Sequence, residues 1–232
     1  MQLLLLPGMD GTGRLFEPLI AALPPTVSAV TVAYPPHVPH GYEELLPLVE
    51  AAAPDGPFVA VGESFSGPLA LMLAARRPSG LRGVILCASF VRFPLRVPER
   101  WRGAVRPWMF RWQPLWMLSG VLLGRHAFGR LGRMLRAAVR SVSPEAFAAR
   151  ARAVAGVDVA AELRDCPVPV LYLQAAGDRV VRPRCWQLVR SLRPDAELVV
   201  LPGPHLLLQA SPREAAVAVA AFCDRVASRP QR

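Results

Sequence analysis

Along this chain, short unbroken apolar runs alternate with stretches in which apolar residues recur every three or four positions. Residues 3–6, 27–32, 58–61, 83–87, 168–173 and 197–201 are runs of the first kind. Residues 15–23, 42–52, 68–75, 185–191 and 215–226 are of the second kind; Leu15, Leu19, Ala22 and Leu23 mark one apolar face in the first of them. A strand that is apolar at nearly every position has no side left for water, so it is covered on both faces, and the intervening helices supply the cover. The pattern predicts an α/β architecture with a mainly parallel six-stranded sheet between helical layers. Between the fourth and fifth strands the alternation breaks. Residues 91–152 read as an insertion within a single domain spanning 1–232.

That insertion holds the excess charge. All 27 basic residues are Arg and none is Lys, a bias that fits a GC-rich coding sequence and says little by itself. Position says more: 91–152 contain thirteen Arg against two acids, Glu99 and Glu145, whereas the rest of the chain is close to neutral. Four of the five Trp (Trp101, Trp108, Trp112 and Trp116) lie there too and read as packing residues. A composition that is 53% hydrophobic, with a mean hydropathy of +0.31, raises the question of a membrane span. The apolar stretch 114–124 falls short of the roughly 20 residues that crossing requires, so no transmembrane segment is expected. The first eight residues lack the basic start and long apolar core of a secretory signal, which makes the cytoplasm the expected location. Cys87, Cys166, Cys185 and Cys223 show no metal-ligand spacing; neither metal, organic cofactor nor disulfide is expected.

The chemistry is carried by residues 59–70, Val-Ala-Val-Gly-Glu-Ser-Phe-Ser-Gly-Pro-Leu-Ala. A buried strand runs into a tight turn with Ser64 at its apex, and a helix follows at once. This is the nucleophile elbow G-x-S-x-G with Ser66 in place of the last glycine; small flanking residues let helix and strand approach while the Ser sits in a strained conformation. A nucleophilic Ser needs a base and an acid that orients the base, and on such a sheet both follow it on loops after later strands. Of the four His, His37 and His40 precede Ser64 and His126 lies in the insertion, whereas His205 follows the last strand. Asp178 ends the loop after the preceding strand; after the run 83–87 stand Ala88, Ser89 and Phe90, with no carboxylate. The expected roles are Ser64 as nucleophile, His205 as base and Asp178 as its partner. Backbone N–H groups of Phe65 and Met9 are the expected oxyanion donors, Met9 lying in the glycine-rich loop Leu-Pro-Gly-Met-Asp-Gly-Thr-Gly at 6–13. Asp10 reads as an Asx-turn residue, and Glu63 as a structural group beneath the elbow.

Elbow, glycine loop, acid loop and terminal His together resemble the α/β-hydrolase superfamily over nearly the whole chain. The loop 6–13 is similar to the L-P-G-x-D-G-T-G phrase of the phytyl ester synthase branch. That branch's His, followed five residues later by Asp, is missing, because Tyr42, Leu45, Leu131 and Ala210 occupy the positions in question. The resemblance implies a minimal α/β-hydrolase fold with 91–152 as a helical cap or lid, and a serine esterase acting on short- to medium-chain acyl esters. It leaves two alternatives open. One is an esterase or thioesterase whose basic cap meets an anionic partner, either a lipid surface or an acyl carrier protein, as in the similar pimeloyl-carrier-protein methyl ester esterases; Arg133, Arg136 and Arg140 are the residues to test. The other is a hydrolase-fold binding protein without catalysis. Nucleic acid is not an expected partner.

Overall fold

In a computed structural model of the chain, which describes residues 1–93, 104–111 and 114–228, the apolar runs form six strands. They are β1 (Gln2–Leu6), β2 (Ser28–Thr31), β3 (Phe58–Glu63), β4 (Leu81–Cys87), β5 (Val170–Ala175) and β6 (Glu197–Leu201). Every pairing is parallel and the order is β2-β1-β3-β4-β5-β6. Alternate residues of the four central strands feed opposite cores, as the pleat requires. Leu4, Leu6, Phe58, Ala60, Val84 and Leu86 enter one core, and Leu3, Leu5, Val59, Val61, Ile85 and Leu171 the other. At the edge strand β6 the expected cover on both faces is not found: Val199 and Leu201 pack inward, whereas Leu198 and Val200 are exposed.

The described helices are α1 (Glu17–Ala22), α2 (Tyr42–Ala51), α3 (Gly67–Ala75), α4 (Trp108–Arg111), α5 (Leu115–Leu123), α6 (Arg130–Arg140), α7 (Pro144–Gly156), α8 (Ala160–Arg164), α9 (Arg184–Leu192), α10 (Leu207–Ala210) and α11 (Pro212–Ala227). Leu45, Leu69, Leu163 and Val189 bring α2, α3, α8 and α9 onto the first core. Leu19, Leu207 and Phe222 bring α1, α10 and α11 onto the second. Most boundaries differ from the sequence pattern by one to three residues, and two of the differences have a local reason. The fifth strand begins at Val170 rather than 168, because Pro169 has no N–H to give the ladder. The helix expected over 15–23 opens as a 3₁₀ turn, Arg14–Phe16, before α1.

Helices α4 to α7 occupy the break between β4 and β5. Leu123 of α5 and Leu135 and Ala138 of α6 share an apolar cluster with Leu15, after β1, and Leu206, after β6. These helices therefore rest on loops at the C-terminal ends of the strands. Trp101, Trp112 and Glu99 lie outside the described residues. Trp108 and Trp116, expected to pack, are instead 68% and 65% exposed. For Trp116 the reason lies in α5, which is apolar around most of its circumference; among the described residues it buries Ser119 and Leu123 and turns Trp116 and Met117 to solvent. No described helix is long and apolar enough to cross a membrane.

The strand order reverses at β1, whose neighbours are β2 on one side and β3 on the other. The chains leaving β1 and β3 diverge there and open a crevice, the usual ligand position in such sheets. Leu6 pairs with Gly62, so the loop after β1 emerges directly beside Ser64.

Candidate active site

Ser64 is the single residue between Phe58 and Leu71 that is not buried. Its φ is 49°, a left-handed conformation that a side chain resists. Steric exclusion holds it there. A Cβ on Gly62 would lie 2.4 Å from the Ser66 carbonyl oxygen, and one on Gly67 would lie 1.9 Å from Ser89 Oγ. The second position that must lack a side chain is therefore 67. At 66, where the motif has its last glycine, the hydroxyl has work of its own: Ser66 Oγ donates to the Pro7 carbonyl and is 2.7 Å from the Tyr34 hydroxyl. From the adjacent strand end, Ser89 Oγ donates to the Ser64 carbonyl at 2.6 Å.

The loops after β5 and β6 bring two more groups to Ser64. Gly177 N–H donates to the Gly203 carbonyl at 2.8 Å and ties those loops together. His205 Nε2 lies 2.9 Å from Ser64 Oγ, and its Nδ1 lies 2.8 Å from Asp178 Oδ2. The other Asp178 oxygen accepts from the N–H groups of Val180 and Val181 at 2.7 and 2.9 Å. With Nδ1–H donating to the carboxylate, Nε2 is left to accept the Ser64 hydroxyl proton. Both side chains are 3% exposed. The arrangement supplies a nucleophile, a proton acceptor and a group that stabilises the resulting imidazolium.

Above Ser64, Gly8 to Gly11 make a turn in which Gly11 N–H donates to the Gly8 carbonyl at 2.9 Å. Asp10 forms the expected Asx turn, accepting from Thr12 N and Oγ1 at 2.9 and 2.6 Å. Burial raises its carboxyl above the ordinary range, against the Thr12 bonds and the nearby Arg150 charge. Phe65 is fixed by Tyr42, which stacks on its ring at 4.7 Å and donates its hydroxyl to the Phe65 carbonyl at 2.9 Å. Beneath the elbow, Glu63 is 1% exposed and accepts from Gln209 Nε2 at 3.1 Å. Burial pushes its carboxyl up to about 8, with the Asp10 charge adding and the Gln209 bond opposing. Glu63 Oε1 and Gln209 Oε1 are both buried without a partner among the described residues; a proton on Glu63 supplies the donor that an ionised carboxylate lacks.

Tyr34, Tyr42, Ser89, Gln209 and Arg150 were not legible as parts of this site, nor was the bonding role of Ser66, which the motif marks only as a small flanking residue. Most bond to backbone atoms, which carry no sequence signature. Arg136, counted among the basic surface arginines, is half-buried, and its guanidinium donates to the Ala127 carbonyl at 3.0 Å; it holds the segment between α5 and α6. Arg106, Arg111, Arg125, Arg133 and Arg140 are exposed. Among the described residues no His, Cys, Asp and Glu side chains cluster as a metal-binding set.

Comparison with known proteins gives three kinds of match. The family described as the Alpha/beta hydrolase family matches residues 3–219. A pimeloyl-[acyl-carrier protein] methyl ester esterase of Neisseria meningitidis is 28% identical over 214 residues, covering 85% of this chain and 82% of that protein. Phytyl ester synthase 1 of Arabidopsis thaliana is 39% identical over 104 residues, 40% of this chain but 15% of that protein. Among solved structures, the enol-lactonase from Burkholderia xenovorans superposes with a TM-score of 0.78 at 17% identity, covering 96% and 91% of the two chains; this likeness concerns the fold.

Proposed function

The chain belongs to the alpha/beta hydrolase family, and from that premise we propose that it hydrolyses carboxylic esters of short- to medium-chain acyl groups through an acyl-enzyme at Ser64. The observation that carries the reading is the continuous hydrogen-bonded line Ser64–His205–Asp178, with Ser64 strained and open at the apex of the elbow. Ser64 Oγ attacks the ester carbonyl carbon as His205 Nε2 takes its proton. The tetrahedral oxyanion is held by the N–H groups of Phe65 and Met9, an interaction worth roughly 3–4 kcal/mol per donor. Collapse breaks the ester C–O bond, and the proton on His205 leaves with the alcohol. Water then gives a proton to His205 and attacks the acyl carbon, releasing the acid and restoring Ser64. Residues 91–152 serve as the cap of this site, and the reaction calls on no metal or organic cofactor.

Ser64→Ala should lower turnover of a p-nitrophenyl ester by about four to six orders of magnitude and abolish labelling by a fluorophosphonate. Near-normal turnover in that variant would refute the nucleophile. Absence of labelling and turnover in the wild type would favour a binding protein instead.

A second reading is favoured by the relative that acts on an acyl-carrier-protein ester, together with the exposed cap arginines. Here the substrate is an acyl chain on an acidic carrier, steered to Arg133 and Arg140. The double change to Gln should lower kcat/KM for the carrier-bound ester at low salt and leave a small neutral ester untouched; an equal response of both substrates would remove the carrier. Arg136 is unsuited to this test because its guanidinium is structural.

A further inference from the structure

One arginine of the basic segment is not on the surface at all. Arg150 of α7 is 0% exposed and is among the largest fully buried side chains in the molecule. One guanidinium nitrogen donates to the Met9 carbonyl at 2.9 Å and to the Asp10 carbonyl at 3.0 Å, and the other donates to the Pro35 carbonyl at 3.0 Å. Its carbon lies 5.7 Å from the centre of the Tyr34 ring, and its Nε has no partner among the described residues. Gly11 is moulded to it: a Cβ there would come within 2.7 Å of the guanidinium. All three acceptors are neutral backbone oxygens. A buried charge is costly to a fold, and an apolar side chain of similar length fills such a space without that cost. What an apolar side chain does not supply is the set of donors spanning the loops after β1 and β2.

We infer that Arg150 is a positioning residue for the oxyanion site: by gripping the carbonyls of Met9 and Asp10 it fixes the turn whose Met9 N–H faces the reacting ester. The geometry makes the link direct. The Gly11 N–H bond to the Gly8 carbonyl orients the Gly8–Met9 peptide, and that peptide carries the Met9 N–H. Release of the next two carbonyls lets the turn rotate as a unit, and the donor loses its aim at the tetrahedral oxygen while the ester-binding surface remains. The inference rests on the proposed hydrolytic reading. It adds that a cap helix, and not the loop itself, sets the quality of oxyanion stabilisation.

The test compares Arg150→Lys and Arg150→Gln with wild type and Ser64→Ala, using p-nitrophenyl butyrate, a trifluoromethyl ketone that forms a tetrahedral adduct, and butyrate as a ground-state ligand. Thermal melts run alongside. In the variants kcat should fall about ten- to hundredfold, as for a small misplacement of a catalytic group, with KM and butyrate affinity within about threefold of wild type. Ketone affinity should fall in step with kcat/KM. Arg150→Lys should lose less than Arg150→Gln, since an ammonium retains some of the donors but not their fork. Unchanged kcat in a cooperatively melting variant, or equal losses for ketone and butyrate, would overturn the inference, as would failure of both variants to fold. Turnover persisting in Ser64→Ala would instead overturn the hydrolytic reading itself, so the two failures are distinguishable.

Discussion

Two loops meet at Ser64, and they are held in shape by opposite means. The elbow is shaped by exclusion. Gly62 and Gly67 leave no room for a Cβ, β3 and α3 close on the turn from either side, and a neighbouring strand end supplies Ser89. The loop 7–13 is shaped by delivery. Its turn is fixed by Ser66 and Arg150, which lie 59 and about 140 residues away in sequence. Exclusion leaves a local trace, a glycine at fixed spacing from a serine. Delivery leaves none, because an arginine destined for a buried carbonyl is spelled like one destined for solvent.

After the loss of Ser64 itself, the largest expected effect lies between the two loops and calibrates the rest. Asp178→Asn keeps the size of the side chain but gives His205 the wrong partner, so kcat should drop about 10³–10⁴-fold with little change in melting temperature. A change below tenfold would remove Asp178 from the reaction. The elbow is next. Gly67→Ala must displace Ser89 and break its bond to the Ser64 carbonyl, at a cost of about 3 kcal/mol, or a fall in melting temperature of roughly 6–12 °C. If exclusion is the cause, adding Ser89→Gly to Gly67→Ala should recover at least half of that loss, as a double-mutant cycle measures; no recovery would mean that the clash lies elsewhere.

Ser66→Gly tests delivery by restoring the residue usual in the motif. It should destabilise the protein by about 1–3 kcal/mol, since Tyr34 and the Pro7 carbonyl lose a buried partner. A variant as stable and active as wild type would make Ser66 a tolerated accident. The smallest effect, taken per pH unit, belongs to Glu63→Gln. Folding raises the Glu63 carboxyl from 4.5 to about 8, so between those values the folded chain keeps a proton that the unfolded chain has released. Stability of the wild type therefore falls with rising pH across that window, by at most about 1.4 kcal/mol per pH unit from this group, and levels off above about 8. The amide variant lacks that slope. Denaturant titrations at pH 5, 7 and 9 should show the variant gaining on wild type as pH rises; parallel curves would show that the carboxyl does not titrate in this range.

The same contrast governs how far the sequence could be read. The six strands follow from the apolar runs, and so does the two-sided burial of β1, β3, β4 and β5 at the centre of the sheet. The edge strand β6 departs from it, with Leu198 and Val200 exposed, because an apolar run does not tell whether a helix covers both of its faces. Ser64, Asp178 and His205 were reached from chain order and strand ends, and they lie within hydrogen-bonding distance of one another. The exposure of Trp108 and Trp116 was not legible, since periodicity tells which face of a helix is apolar and not whether a neighbour covers it. Nor was the division of the arginines. Arg150 is engulfed, Arg136 pins a turn, and Arg133 and Arg140 face water, yet all four belong to one basic stretch.

Because the glycine loop is gripped from so far along the chain, its order depends on the direction of synthesis. The ribosome releases residues 7–13 early. At roughly 5–20 residues per second, on the order of ten seconds pass before Arg150 follows, and His205 comes later still. During that interval Ser64 can meet β1 and α3, but it has neither its base, 141 residues downstream, nor a fixed turn above it. A nascent chain thus carries an exposed serine that is chemically idle, and reactivity arrives only with the final third of the polypeptide. Truncated translation products of this chain should be inert toward cellular esters whether or not their sheet has begun to form.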